Sequence, residues 1–106
     1  MLFFSIWPMA LAVIFMVIIP LCASGAIKAN RFVGIRWPAL QASEAAWERG
    51  HRAAIPATFI GGALAIVVGV VFLFFPETGA LGPILSFVFL LTGFGAASRA
   101  ANKAAA

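Results

Sequence analysis

The chain has 106 residues, 64% of them hydrophobic and only 9% charged, with a mean hydropathy of +1.12. A soluble domain carries about 25% charged and about 45–50% apolar residues, so too few polar residues remain here to cover a water-soluble globule. The formal charge of +4 could suggest nucleic acid, but the cations flank apolar segments, where membrane topology alone places them, and this argues against a nucleic-acid partner.

A spanning helix needs about 20 mostly apolar residues, and three segments meet or approach that length: Phe3–Ala26, Ala53–Phe75 and Leu81–Ala97. The first span is predicted over about residues 3–27. Pro8 fits its first turns, whereas Pro20 removes a backbone donor and predicts a kink. No Lys or Arg precedes this span and its apolar run exceeds a signal-peptide core, so an uncleaved helix is expected. Cys22 is the only cysteine, which leaves no internal disulfide. Leu21 before it does not suit a lipoprotein signal.

Residues 28–52 carry most of the information. Lys28 and Arg31 mark the water boundary, and the turn Gly34-Ile35-Arg36-Trp37-Pro38 follows. Gly34 permits unusual backbone angles, and Pro38 keeps Trp37 out of the helical region. Ser43 is placed as an N-cap, with Glu44 in the first turn of a helix that runs into the second span. Trp47 and His51, four residues apart, share a face, and Glu48 can pair with Arg52 at the same spacing. Pro56 is expected to bend the junction with the second span, about residues 53–75. That span carries Gly61, Ala65 and Gly69, a stripe of small residues that lets helix backbones approach. It can serve packing within the bundle or contact with another protein. The link Pro76–Pro83 is short and turn-rich. The third span covers about residues 81–97, with Gly93 and Ala97 as a second small pair, and the tail bears Arg99 and Lys103.

Three spans put the first loop and the tail on one side. All seven Lys and Arg fall there: Lys28, Arg31, Arg36, Arg49, Arg52, Arg99 and Lys103. The positive-inside rule makes that side cytoplasmic, with the N-terminus and the Glu77 loop outside. The expected fold is therefore one all-α integral membrane domain, a three-helix bundle with N-out/C-in topology and an ordered cytoplasmic loop.

The run Asn30…Gly34-Ile35-Arg36-x-Pro38…Ser43-Glu44-x-x-Trp47-x-x-x-His51-Arg52 resembles the SdpI family of bacterial membrane proteins, named for immunity to a secreted toxic peptide. The match spans about 23 residues, Asn30 to Arg52. It departs from the family pattern around the proline, with Trp37 before Pro38 and Ala39 after it. The resemblance implies a multi-pass protein of the bacterial cytoplasmic membrane. It also implies toxin resistance coupled to signalling, in which the toxin-engaged protein holds a transcriptional repressor at the membrane. The implied recognition loop comprises Asn30, Gly34, Arg36, Pro38, Ser43, Trp47, His51 and Arg52.

Read residue by residue, Arg31 and Arg49 are topology signals whose guanidinium groups reach lipid phosphates. Arg36 and Arg52 gain a second reading as an anion or partner site, because a guanidinium grips phosphate or carboxylate with a fork of donors. Trp7, Trp37 and Trp47 fit interfacial anchors, Trp47 with a second, compatible reading as packing the loop against the helix and fixing the arginines. His51 fits an interfacial side chain hydrogen-bonded to loop backbone, with a pH-sensitive group as the alternative. Glu44 and Glu48 fit a cap charge and an ion-pair partner. One His and one Cys on different segments make no metal set, and no nucleophile–base pair or phosphate loop is visible. A non-enzymatic protein without cofactor is expected. Its partners would be membrane lipids, a peptide toxin or cytoplasmic regulator, and another membrane protein or a second copy. An accessory subunit of a respiratory, transport or envelope-synthesis assembly is the competing expectation, motivated by small size and the glycine stripe.

Overall fold

A computed structural model describes residues 2–106. The described residues are helical throughout their ordered elements: α1 over Leu2–Ala23, α2 over Pro38–Gln41, α3 over Glu44–Leu73 and α4 over Leu81–Ala105, with a 3-10 turn at Pro76–Thr78 before α4. Helices α1, α3 and α4 are each long and apolar enough to cross a membrane. The all-α architecture expected from composition is therefore the one formed.

The helix ends follow local chemistry. α1 stops at Ala23, four residues short of the expected boundary, because Gly25 takes the left-handed conformation (φ +84°) that closes a helix. Its last carbonyls are satisfied by folding back: Ser24 Oγ and the Ile27 N–H both donate to the Leu21 C=O, at 3.0 and 3.1 Å. Pro8 and Pro20 lie inside α1, and Pro56 lies inside α3, without ending either helix. Ser43 caps α3 as expected, its Oγ accepting from the Ala46 N–H at 3.0 Å. α4 runs on to Ala105, well past residue 97, so the alanine-rich tail is helix.

α3 is the central helix and packs against both α1 and α4. Small residues set how closely. A Cβ added to Gly61 would sit 2.6 Å from the Gly93 Cα, so α3 and α4 cross at a glycine pair with backbones nearly touching. On the α1 side, Gly62 and Gly69 receive the Met16 and Met9 side chains, whose sulfurs would be 2.7 and 2.6 Å from an added Cβ. Ala65 is fully buried between these positions, and its carbonyl accepts from the buried Ser86 Oγ at 2.7 Å. The Gly61/Ala65/Gly69 stripe is thus consumed inside the bundle. The outward faces remain apolar, with Val13, Val17, Ile60, Val67, Ile84, Val88 and Leu91 all exposed, as lipid-facing surfaces require.

Length places the polar end. The 30 residues of α3 reach about 45 Å at about 1.5 Å per residue, beyond the about 30 Å of a hydrocarbon core. The surplus turns are the N-terminal ones, Glu44–Arg52, which hold the charges of the helix. They meet the last turns of α4: Arg49 Nε donates to the Ala104 C=O at 2.8 Å, and its terminal nitrogen to the Ala105 C=O at 3.2 Å. All seven cations therefore collect at one end of the bundle, and Glu77 lies at the other.

Candidate functional site

The loop between α1 and α3 is held against the first turns of α3 by a set of directed hydrogen bonds. Glu44, Trp47 and His51 stand at i, i+3 and i+7, which puts them on one helical face. Each grips a different point of the loop. Glu44 Oε2 accepts from the Ala29 N–H at 3.3 Å. Trp47 Nε1 donates to the Ile27 C=O at 2.9 Å. His51 Nε2 accepts from the Ile35 N–H at 2.9 Å. The spacing of the motif is the spacing of these three clamps.

His51 is fully buried, and its bonds fix its chemistry. With Nε2 accepting, the ring proton belongs on Nδ1, which lies 2.8 Å from the Trp47 C=O and donates to it. This pairing fits the neutral imidazole alone, since a proton on Nε2 would face the Ile35 N–H. The Trp47 ring, also fully buried, leans on the imidazole with centroids 4.2 Å apart. Gly34 closes the arrangement. Its φ is +102°, and an added Cβ would lie 2.9 Å from His51 Nε2 and 3.0 Å from the Trp47 ring. Glycine is demanded there both by backbone angle and by space.

The rest of the loop is built from its own side chains. Asn30 Oδ1 accepts from the Phe32 and Val33 N–H groups at 2.8 and 2.7 Å, while its Nδ2 donates to the Lys28 C=O at 2.7 Å. Gln41 Nε2 donates to the Asn30 C=O at 3.1 Å. Pro38 opens α2, where its missing N–H costs nothing, and the extended Trp37 precedes it (ψ 145°). α2 exists to seat Leu40, which is fully buried against Gly50. A Cβ on Gly50 would meet Leu40 at 2.7 Å and the Ala101 C=O of α4 at 3.0 Å. Trp37 fastens the loop to α4 by donating from Nε1 to Ser98 Oγ at 2.6 Å.

The expected site residues therefore separate into two groups. Asn30, Gly34, Pro38, Ser43, Trp47 and His51 hold the loop in shape, and Trp47 and His51 are interior rather than surface groups. Arg36 and Arg52 are exposed. Arg36 donates one N–H to the Arg31 C=O at 2.6 Å and faces outward otherwise. The expected Glu48–Arg52 ion pair does not form; Glu48 Oε2 packs instead at Gly25, 3.1 Å from where a Cβ would stand. Sequence reasoning missed α2, the Leu40–Gly50 contact and the capping of α4 by Arg49. Pro38 at a helix-starting position with Leu40 two residues later was the available signal for α2.

Two clefts flank this loop. One, about 490 Å³, is the more polar of the two, with Arg31, Arg36, Gln41 and Ser98 sharing its lining with apolar Ile35 and Trp37. The other, about 300 Å³, is mostly apolar and lined by Phe15, Ile18, Phe32, Val33 and Phe94. Gly34, Arg36 and Phe94 border both. Among the described residues, neither cleft is lined by a carboxylate.

Comparison with protein families matches residues 26–97 to the SdpI/YfhL protein family. The match takes in the clamped loop, α2, α3 and most of α4, leaving α1 outside it. Neither curated proteins nor solved structures give a match. The Asn30–Arg52 run thus sits inside a matched stretch covering most of the chain, and the protein belongs to the SdpI/YfhL family.

Proposed function

We propose that this protein is a small, non-enzymatic SdpI-type protein of the bacterial cytoplasmic membrane, acting in immunity or membrane-stress signalling through the loop clamped on α3. The observation that carries this reading is the rigid seating of the family motif. Buried Trp47 and His51 fix the backbone, and the exposed Arg36, Trp37 and Arg52 are displayed around it. A pre-shaped cationic surface suits recognition of an acidic partner, because the ordering cost is met in folding rather than in binding. In this proposal the loop and the C-terminus face the cytoplasm and Glu77 faces outward, following the excess of Lys and Arg at one end. A toxic peptide engaging the membrane-embedded part, or a cytoplasmic regulator engaging the loop, would be the partner. The internal use of the glycine stripe removes one support from the accessory-subunit alternative.

The test is protection. Cells sensitive to a family-type secreted toxic peptide are made to produce the wild-type chain, Arg36→Gln or Arg52→Gln, with membrane levels matched by immunoblot. Protection by wild type and its loss in the Arg36→Gln variant is the expected result. Equal protection by all three, or none by wild type together with no induced transcriptional response, would remove the proposal.

A further inference from the structure

We propose that the paired clefts beside Arg36 form a binding site for an anionic glycerophospholipid. The polar cleft takes the headgroup phosphate and the apolar cleft takes one acyl chain.

Three observations converge on this occupant. First, the two clefts are adjacent and graded in character, one mixing cationic and polar groups with apolar ones and the other mostly apolar, and they share Gly34, Arg36 and Phe94 at their border. That is the layout of an amphiphile, whose phosphate and chain join at one point. Second, the polar cleft carries two guanidinium groups, Arg31 and Arg36, with Gln41 and Ser98 as further polar neighbours and no lining carboxylate. One Arg36 N–H is spent on the Arg31 C=O, which orients the fork and leaves other donors for phosphate oxygens. Third, the clefts lie at the depth where headgroups sit. Phe15 and Ile18 belong to the apolar stretch of α1, whereas Arg31 and Gln41 belong to the polar end of the bundle. Phe32, 80% exposed on the loop between these levels, has no protein core to cover it and is suited to lie along a chain. Basic pockets between helices at the membrane surface bind anionic headgroups by this combination of charge and depth.

The inference rests on reading the chain as a membrane protein. It does not depend on the immunity role or on which face of the membrane the loop occupies. The full chain, purified in mild detergent, is examined by native mass spectrometry with phosphatidylglycerol, phosphatidylcholine, glycerophosphoglycerol or inorganic phosphate. Preferential retention of phosphatidylglycerol over phosphatidylcholine is expected, with little displacement by the deacylated headgroup or by phosphate. Arg36→Gln is expected to cut that retention about fivefold, the size of one lost cation–headgroup attraction. Phe32→Ser, at an exposed site that leaves the fold intact, is expected to reduce retention of the diacyl lipid. Equal retention of the two lipids, unchanged retention in Arg36→Gln, or full displacement by phosphate or by glycerophosphoglycerol would overturn the site. Flotation of the protein with vesicles of phosphatidylcholine and phosphatidylglycerol separates the two levels. A chain that floats without lipid preference loses this site alone, and a chain that does not float loses the membrane reading as well.

Discussion

At the residue scale, the family motif reads as a lock more than as a contact surface. His51 is the centre of it, because one buried ring accepts from the loop and donates to its own helix. Removing that acceptor leaves the Ile35 N–H buried without a partner, a cost of about 1–3 kcal/mol. His51→Ala is therefore expected to speed hydrogen exchange at Ile35 and its neighbours by about fivefold or more, with the span residues unaffected; unchanged exchange there would show that the loop is held by other means. Gly34→Ala meets two penalties, a left-handed backbone costing about 1–2 kcal/mol for an L-residue and a Cβ placed 2.9 Å from His51 Nε2. It should lower the melting temperature in detergent and change the Trp47 fluorescence, since the indole lies 3.0 Å from the same Cβ position. The sequence displayed these residues as a spaced motif. It also pointed to His51 bonded to loop backbone and to Trp47 packing the loop on the helix, and both bonds form; it did not disclose that both rings are fully buried, because a face at i, i+3 and i+7 looks the same whatever depth covers it.

At the element scale, helix proximity is set by missing side chains. The Gly61–Gly93 crossing has no room for a methyl group, so Gly61→Ala is expected to weaken the α3–α4 contact and lower thermal stability. Gly95→Ala is the matched control. Nothing lies within 4 Å of its added Cβ, and alanine is favoured over glycine in a helix by about 1 kcal/mol, so stability should hold or rise. Equal losses in both variants would contradict the close-crossing account. Arg49 acts on a different element, covering the carbonyls of Ala104 and Ala105 at the end of α4. Arg49→Met should fray that end, seen as faster exchange over residues 101–106. The three long helices were legible because apolar runs of that length have few alternatives. The ends were less so. Gly25 ended α1 early through a backbone angle, and the tail after residue 97 stayed helical because α3 extends far enough to support it. Glycine just past an apolar run and an alanine-rich tail were the available signals for those two ends. The four-residue α2 carried less signal, since its stability comes from Leu40 packing on Gly50 rather than from its own length.

At the scale of the whole molecule, charge and length act together. α3 is longer than the hydrocarbon core, its surplus turns carry the loop, and the end of α4 braces them. This gathers every Lys and Arg at one end of a bundle 49 Å long and about 20 Å wide. The asymmetry is what turns a greasy bundle into an oriented one and gives the clamped loop a defined compartment in the proposal. It is tested most directly by labelling single cysteines in intact cells with a membrane-impermeant maleimide, in a Cys22→Ser background. The account predicts that Glu77→Cys is labelled at once, and that Gln41→Cys is labelled only after the membrane is permeabilised. Labelling of Gln41→Cys in intact cells, with Glu77→Cys protected, would contradict it.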